Sequence, residues 1–259
     1  EKINAFLKMF SGYDILELCR TGITALERGG KHVAVATLGS EDAMFVSTIR
    51  RYALDQETAV SACVLDDSLL YELSSFGGTL VAVTDDRFLA LSGDGSLGGS
   101  YDYAYPYLRG STLGGTDFGA LVLSRYRSGS AGKLVTVGAE GNLIASLDTQ
   151  RDVLDISAAG KYLAVLCLQD TGSAVHTFTL TSADERGGAV CADELFADLF
   201  WRGGKICCVS QSRLAFFDDS AKLADEYSFG DLYLYDYAAE GDGFVTLALS
   251  RYRSGSAAQ

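Results

Sequence analysis

YLRGSTLGGTDFGALVLSRYRSGSA, residues 107–131, returns 126 residues later as YLYDYAAEGDGFVTLALSRYRSGSA, residues 233–257. The copies align without a gap, and their last nine residues are identical. An internal repeat constrains a fold more tightly than local propensity, because each copy must sit in an equivalent environment. Within it lies a smaller unit, a glycine turn followed by a short apolar run. Gly29-Gly30 precedes His32 through Ala36, Gly77-Gly78 precedes Leu80 through Val83, and Gly114-Gly115 precedes Phe118 through Leu123. Gly160 leads to Tyr162 through Leu166, Gly203-Gly204 to Ile206 through Val209, and Gly241 to Phe244 through Leu249. With one glycine per run as marker (30, 78, 115, 160, 204 and 241), the spacings are 48, 37, 45, 44 and 37.

A period of about 43 residues is that of a four-stranded antiparallel blade; solenoids of similar period would show mostly helical periodicity. The runs are short and nearly continuous, as strands covered on both faces must be. A strand such as Val153 through Ser157 precedes each run, and a hairpin follows, as in Lys133–Val137 and Leu143–Leu147 around Ala139-Glu140-Gly141-Asn142. Gly, Asn and Asp in these turns supply the positive φ that tight hairpins require. No helical period survives beyond about two turns.

The second copy of the repeat stops after its second strand, while residues 3–10 and 13–19, split by Ser11-Gly12, form surplus strand material ahead of the first run. Joining the ends gives a sixth spacing of 48. The expectation is therefore an all-β, six-bladed β-propeller of four-stranded antiparallel blades, one domain over residues 1–259, closed by pairing of N- and C-terminal strands. Such pairing removes an exposed edge. The alternative is an incomplete ring of seven or eight blades.

Composition narrows the function classes. Hydrophobic content of 48% with a single proline suits a large β core, and a net charge of −13 argues against nucleic acid or anionic membrane as partner. No apolar run is long enough to span a bilayer. The chain starts at Glu1, so a removed upstream segment is an expectation. The six cysteines (Cys19, Cys63, Cys167, Cys191, Cys207 and Cys208) mostly sit in apolar runs without paired zinc-site spacing. They read as buried free thiols.

The sharpest candidates for a site are Ser124-Arg125-Tyr126-Arg127-Ser128 and Ser250-Arg251-Tyr252-Arg253-Ser254, which follow the runs of the third and sixth blades. Alternation would put Arg125 and Arg127 on one face and Tyr126 on the other. Paired guanidinium groups could grip a carboxylate or phosphate bidentately; an ordinary hairpin whose arginines neutralise nearby acids is the competing reading. Arg125, Tyr126, Arg127, Arg251, Tyr252 and Arg253 are thus the expected ligand-binding set. Two tyrosine groups (Tyr101, Tyr103, Tyr105, Tyr107; Tyr233, Tyr235, Tyr237) lie where one blade should pass to the next, suited to inter-blade packing or to stacking on sugar rings. His32 and His176, the only histidines, are far apart in sequence, with His176 expected on an outer strand, so neither a triad nor a His-rich metal site is expected. Asp66-Asp67, Asp85-Asp86 and Asp218-Asp219 sit in turns and read as solvated rather than catalytic.

The apolar strand, the Val137-to-Leu143 hairpin and the glycine-led restart resemble WD40-like and quinoprotein-like β-propeller repeats. Residues 123–166, LSRYRSGSAGKLVTVGAEGNLIASLDTQRDVLDISAAGKYLAVL, are similar to a bacterial propeller family of unassigned function. That resemblance implies display outside the cytoplasm behind a single N-terminal membrane anchor. The chain has no Trp-Asp dipeptide and one tryptophan, so it departs from true WD40 repeats, and no quinone or other cofactor is implied. The expected function is a non-catalytic binding or scaffold propeller engaging a protein or glycan through one face; the alternative is a glycan hydrolase or lyase using face-exposed carboxylates and tyrosines.

Overall fold

The computed structural model describes residues 24–26, 32–41, 44–53, 56–66, 68–76, 79–114, 118–127, 132–239 and 245–252. Among them every regular element is a β-strand. Sheet one contains β1 (Thr24–Leu26), β2 (His32–Glu41), β3 (Met44–Ala53) and β4 (Ala59–Asp66). Sheet two contains β5 (Leu70–Phe76), β6 (Thr79–Thr84), β7 (Arg87–Leu91) and β8 (Leu97–Asp102). In sheet three lie β9 (Tyr107–Thr112), β10 (Phe118–Ser124), β11 (Gly132–Gly138) and β12 (Leu143–Thr149). Sheet four follows with β13 (Asp152–Ala159), β14 (Tyr162–Gln169), β15 (Gly172–Thr179) and β16 (Glu185–Cys191). Sheet five has β17 (Asp198–Arg202), β18 (Lys205–Val209), β19 (Arg213–Phe217) and β20 (Leu223–Ser228). The last sheet pairs β21 (Tyr233–Ala238) with β22 (Thr246–Ser250). Every pairing is antiparallel between strands adjacent in sequence.

Burial follows from this meander. The second strand of sheets two to five lies between two neighbours and carries the apolar run, so Val81, Leu121, Leu163 and Ile206 are fully buried. Fourth strands lie at the rim and alternate, as in β8 and β16. Each sheet then packs face to face on the next. Phe76, Val83 and Phe88 of sheet two meet Leu121, Leu123 and Val135 of sheet three in one cluster. Ala120 and Leu134 meet Leu163 and Val165 across the following junction. First strands of neighbouring sheets also touch, β1 on β5, β9 on β13 and β13 on β17.

A second contact recurs between neighbours: the fourth strand of one sheet meets the third-to-fourth turn of the next. A Cβ on Gly99 of β8 would collide with the Glu140 carbonyl, and one on Gly187 of β16 with that of Ser220. Gly141, at φ +77°, turns the chain there.

The repeat is reproduced in its ladders. Tyr107, Leu108, Gly110, Ser111 and Thr112 pair with Ser124, Leu123, Val122, Leu121 and Ala120. Tyr233, Leu234, Asp236, Tyr237 and Ala238 pair with Ser250, Leu249, Ala248, Leu247 and Thr246, each partner shifted by the same offset and each ladder bulged at the same place. The surplus strand material, residues 3–10 and 13–19, lies outside the described residues, as do Arg253 and Cys19. Among the described cysteines, Cys167, Cys207 and Cys208 are buried, and Cys63 and Cys191 half-buried, all as free thiols. Burial pushes the Cys167 and Cys207 thiols up to about 11, which leaves them protonated and inert.

Two local expectations are corrected. Residues 125–127 form a bend rather than a strand, so side-chain alternation does not apply to Arg125, Tyr126 and Arg127. Tyr233, Tyr235 and Tyr237 lie within the first strand β21 instead of an inter-blade connection. His176 lies on β15, the third strand of its sheet and thus one of its two outer strands as expected, half-buried against Glu185.

Candidate functional site

The second-to-third-strand turns are built on a shared tetrapeptide. It reads Thr84-Asp85-Asp86-Arg87, Ser124-Arg125-Tyr126-Arg127, Ser210-Gln211-Ser212-Arg213 and Ser250-Arg251-Tyr252-Arg253. Each leading Ser or Thr is buried. Its hydroxyl accepts the N–H two residues on, at 3.4 Å from Asp86, 3.2 Å from Tyr126, 3.1 Å from Ser212 and 3.1 Å from Tyr252. The side chain thereby satisfies backbone groups as the chain leaves the ladder.

The arginine three residues on braces its own sheet. Arg87 donates to Ser68 Oγ at 3.2 Å, just ahead of β5. Arg213 pairs with Glu194 at 3.6 Å and lies 5.7 Å from the Phe196 ring, ahead of β17. Arg127 lies 5.8 Å from the ring of Tyr107, which opens β9. Arg127 therefore occupies a bracing position common to several sheets.

Position two differs between sheets. Asp85 and Gln211 stand where the repeat has Arg125 and Arg251. Arg125 Nη2 donates to Tyr105 Oη at 3.0 Å, and Tyr105 Oη donates to Asp148 at 3.3 Å, which also pairs with Lys133 at 3.3 Å. Arg109 donates to the Arg127 carbonyl at 2.9 Å and lies 3.9 Å from Asp152. Arg109, Arg125, Arg127 and Lys133 thus form a basic group at the turn, edged by two acids. Tyr126 stands 62% exposed beside it, and Tyr252 of the second copy 58% exposed. Arg251 is exposed as well.

The structure also brings together a carboxyl pair that sequence reading missed. Pairing makes Glu72, Asp155 and Asp198 equivalent on the first strands, and Gly110 and Asp236 take the matching place after the bulges of theirs. Just before four of them a bulge skips one exposed residue: Tyr71, Arg109, Leu154 or Tyr235. The aspartates use the position alike, accepting the next backbone N–H at 2.8 Å (Ile156), 2.8 Å (Leu199) and 2.9 Å (Tyr237). Asp155 also reaches the next sheet, accepting Leu199 N–H at 2.9 Å. Glu72 does likewise through the Ser111 hydroxyl at 2.7 Å. Burial and then the hydrogen bond to Asp198 push Asp155 up to about 7, so it holds a proton where an ordinary aspartate has none. Asp155 and Asp198 are 43 residues apart, one blade period, and aligning the first strands would have found them.

The histidines are apart: His32 contacts Arg51 at 3.2 Å, and His176 contacts Glu185 at 2.6 Å. No cluster of three or more His, Cys, Asp or Glu among the described residues is placed to hold a metal ion.

A family model for the small subunit of acetolactate synthase matches residues 1–29, a short stretch that shows no family for the chain as a whole. No curated protein sequence matches it. Solved structures match in backbone. The computationally designed Ika8 protein superposes with a TM-score of 0.64 at 12% identity, over 89% of this chain and 69% of that one. BamB from Moraxella catarrhalis gives 0.54 at 11% identity, over 88% and 73%. The WD40 β-propeller domain of Doa1 gives 0.54 at 8% identity, over 89% and 79%. At such identities the likeness speaks for the fold alone, and that fold is a WD40-like β-propeller. No described helix is long and apolar enough to cross a membrane.

Proposed function

We propose that this chain is a non-catalytic binding or scaffold propeller of six blades, its ring closed by residues 3–10 and 13–19, displayed outside the cytoplasm. It engages a protein or glycan through the face that carries the second-to-third-strand turns. The observation that supports this reading is the pair of Arg-Tyr turns. Position two is Arg only in the two copies of the repeat, and there an exposed tyrosine adjoins it. A guanidinium beside an exposed phenol suits a carboxylate or a hydroxyl-rich ring.

The test is the double variant Arg125→Ala with Arg251→Ala, compared with the parent chain on glycan and peptide arrays. Binding to the parent's ligands should fall at least tenfold while Tm stays within a few degrees. Unchanged binding, or a collapse of Tm, overturns the assignment of these arginines.

A second reading, glycan hydrolysis or elimination, rests on the Asp155–Asp198 carboxyl pair, in which burial and the hydrogen bond to Asp198 push Asp155 up to about 7. A carboxyl group so poised can serve as a general acid. Turnover of a glycan by the parent chain but not by Asp155→Asn would support that reading over the first.

A further inference from the structure

Each first-strand bulge skips one residue, and the skipped residue is exposed in every case: Tyr71, Arg109, Leu154 and Tyr235. β17 runs without a bulge. Two of the four are tyrosines, 51% and 61% exposed, and each is followed by a carboxylate, Glu72 or Asp236. The long repeat does not account for this coincidence, because it equates Tyr235 with Arg109 rather than with Tyr71. A bulge re-aims the side chain it carries. Here it does so twice for a large ring that ends up in solvent.

These residues lie on the face that carries the second-to-third-strand turns. Arg109 donates to the Arg127 carbonyl at 2.9 Å. The Tyr103 phenol donates to the Thr84 carbonyl at 3.0 Å. Burial first, then Asp86, Asp85, Tyr101 and Tyr71 push that phenol up, which puts Tyr71 beside the turn at 84–87. In sheet six, Tyr233 pairs with Ser250, where the Arg251 turn begins, two residues before Tyr235. Both carboxylates are held in place: Glu72 accepts the Ser111 hydroxyl at 2.7 Å and Asp236 the Tyr237 N–H at 2.9 Å. A carboxylate offers about four acceptor sites, so each keeps capacity for an incoming hydroxyl.

This arrangement discriminates between ligands. First strands are sheet edges, but a bulge interrupts the row of backbone groups that an extended peptide would pair with. A polyanion meets a carboxylate beside each tyrosine, on a chain of net charge −13. A sugar ring suits both halves, with its C–H face on the phenol and its hydroxyls donating to the carboxylate. We infer that Tyr71 with Glu72 and Tyr235 with Asp236 are two subsites for the rings of an uncharged glycan. The inference rests on the binding face proposed above, extends it from the Arg-Tyr turns to the first strands, and chooses glycan over protein.

The test is binding of the full chain to an array of uncharged oligosaccharides beside an array of peptides. The parent chain should be retained by at least one uncharged glycan. Tyr71→Ala and Tyr235→Ala should each weaken that binding about tenfold, while Tyr71→Phe and Tyr235→Phe, which keep the ring, stay within about threefold. Tm should hold within a few degrees, because both rings are exposed. Alanine variants that bind as tightly as the parent overturn the subsites. If the Arg125→Ala, Arg251→Ala double variant loses the glycan while the tyrosine variants keep it, the subsites fail and the binding face stands. Retention by peptides alone overturns the glycan assignment and again leaves the face. A parent chain retained by neither array overturns both.

Discussion

β9–β10 and β21–β22 belong to one repeat and share a register and a bulge, yet they differ in burial. Leu121 and Leu123 have no exposed surface; their counterparts Leu247 and Leu249 are half-buried. The cause is the neighbour. β10 is flanked by β9 and β11 and covered by sheets two and four, while β22 has β21 alone among the described residues. Hydrogen-bond register is therefore set within the repeat, through the tyrosine that opens the first strand and the serine that ends the second. Burial is set outside it, by whichever strands lie alongside.

The largest effect that can break this comparison is a cavity. Leu121→Ala should cost about 2–5 kcal/mol, the usual range for a fully buried leucine. If the ring is closed as proposed, so that a further strand covers β22, Leu247→Ala should come within about 1 kcal/mol of that value. Urea denaturation of both variants reads the difference. A loss below about 1 kcal/mol for Leu247→Ala would mean an open sheet edge and would refute ring closure.

The next effect concerns the bulge position, where the first copy has Gly110 and the second Asp236, with Asp155 as the buried extreme. Asp155 is raised from its ordinary 3.8 to about 7. The folded chain therefore holds a proton that the unfolded chain gives up between those values. This contribution is complete below pH 3.8 and is lost as pH rises through 7. Asp218, lowered by its hydrogen bond from Ser220, runs the other way and loses its contribution as pH falls. Between pH 6 and pH 8 the parent chain should lose the Asp155 contribution while burial of His176, which lowers its titration, works the other way; in melting curves Asp155→Asn should shift the slope over that range toward greater stability at pH 8. An unchanged slope would remove Asp155 from the account.

How far the sequence could be read depends on the scale of the cause. Strand order within a sheet depends on turns and apolar runs of five to eight residues, which sequence displays directly, so sheets two to five fall where the glycine spacing puts them. The second-to-third-strand turns were legible only in part. Arg125 and Arg127 stood out because the repeat is identical there, but their roles separate only when Thr84 to Arg87 and Ser210 to Arg213 are superposed. The identity of neighbouring residues hid that one arginine braces a strand and the other varies between sheets. Asp155 and Asp198 were illegible one strand at a time. Each looks like an ordinary aspartate, and only packing of β13 against β17 puts the two carboxyls together.

The smallest effect sharpens the claim most. Ser124 and Ser250 are both buried, and each hydroxyl accepts the tyrosine N–H two residues on, at 3.2 and 3.1 Å. Removing either hydroxyl leaves a backbone donor unsatisfied at the end of a strand, a loss of about 1 kcal/mol. If the turn is set within the repeat, Ser124→Ala and Ser250→Ala should cost the same, despite the different burial of the strands that carry them. Paired denaturation curves of the two variants provide the measurement. Equal losses mean that the turn is independent of its surroundings, while a much smaller loss at Ser250 would show that a turn, like a leucine, depends on the sheet next door.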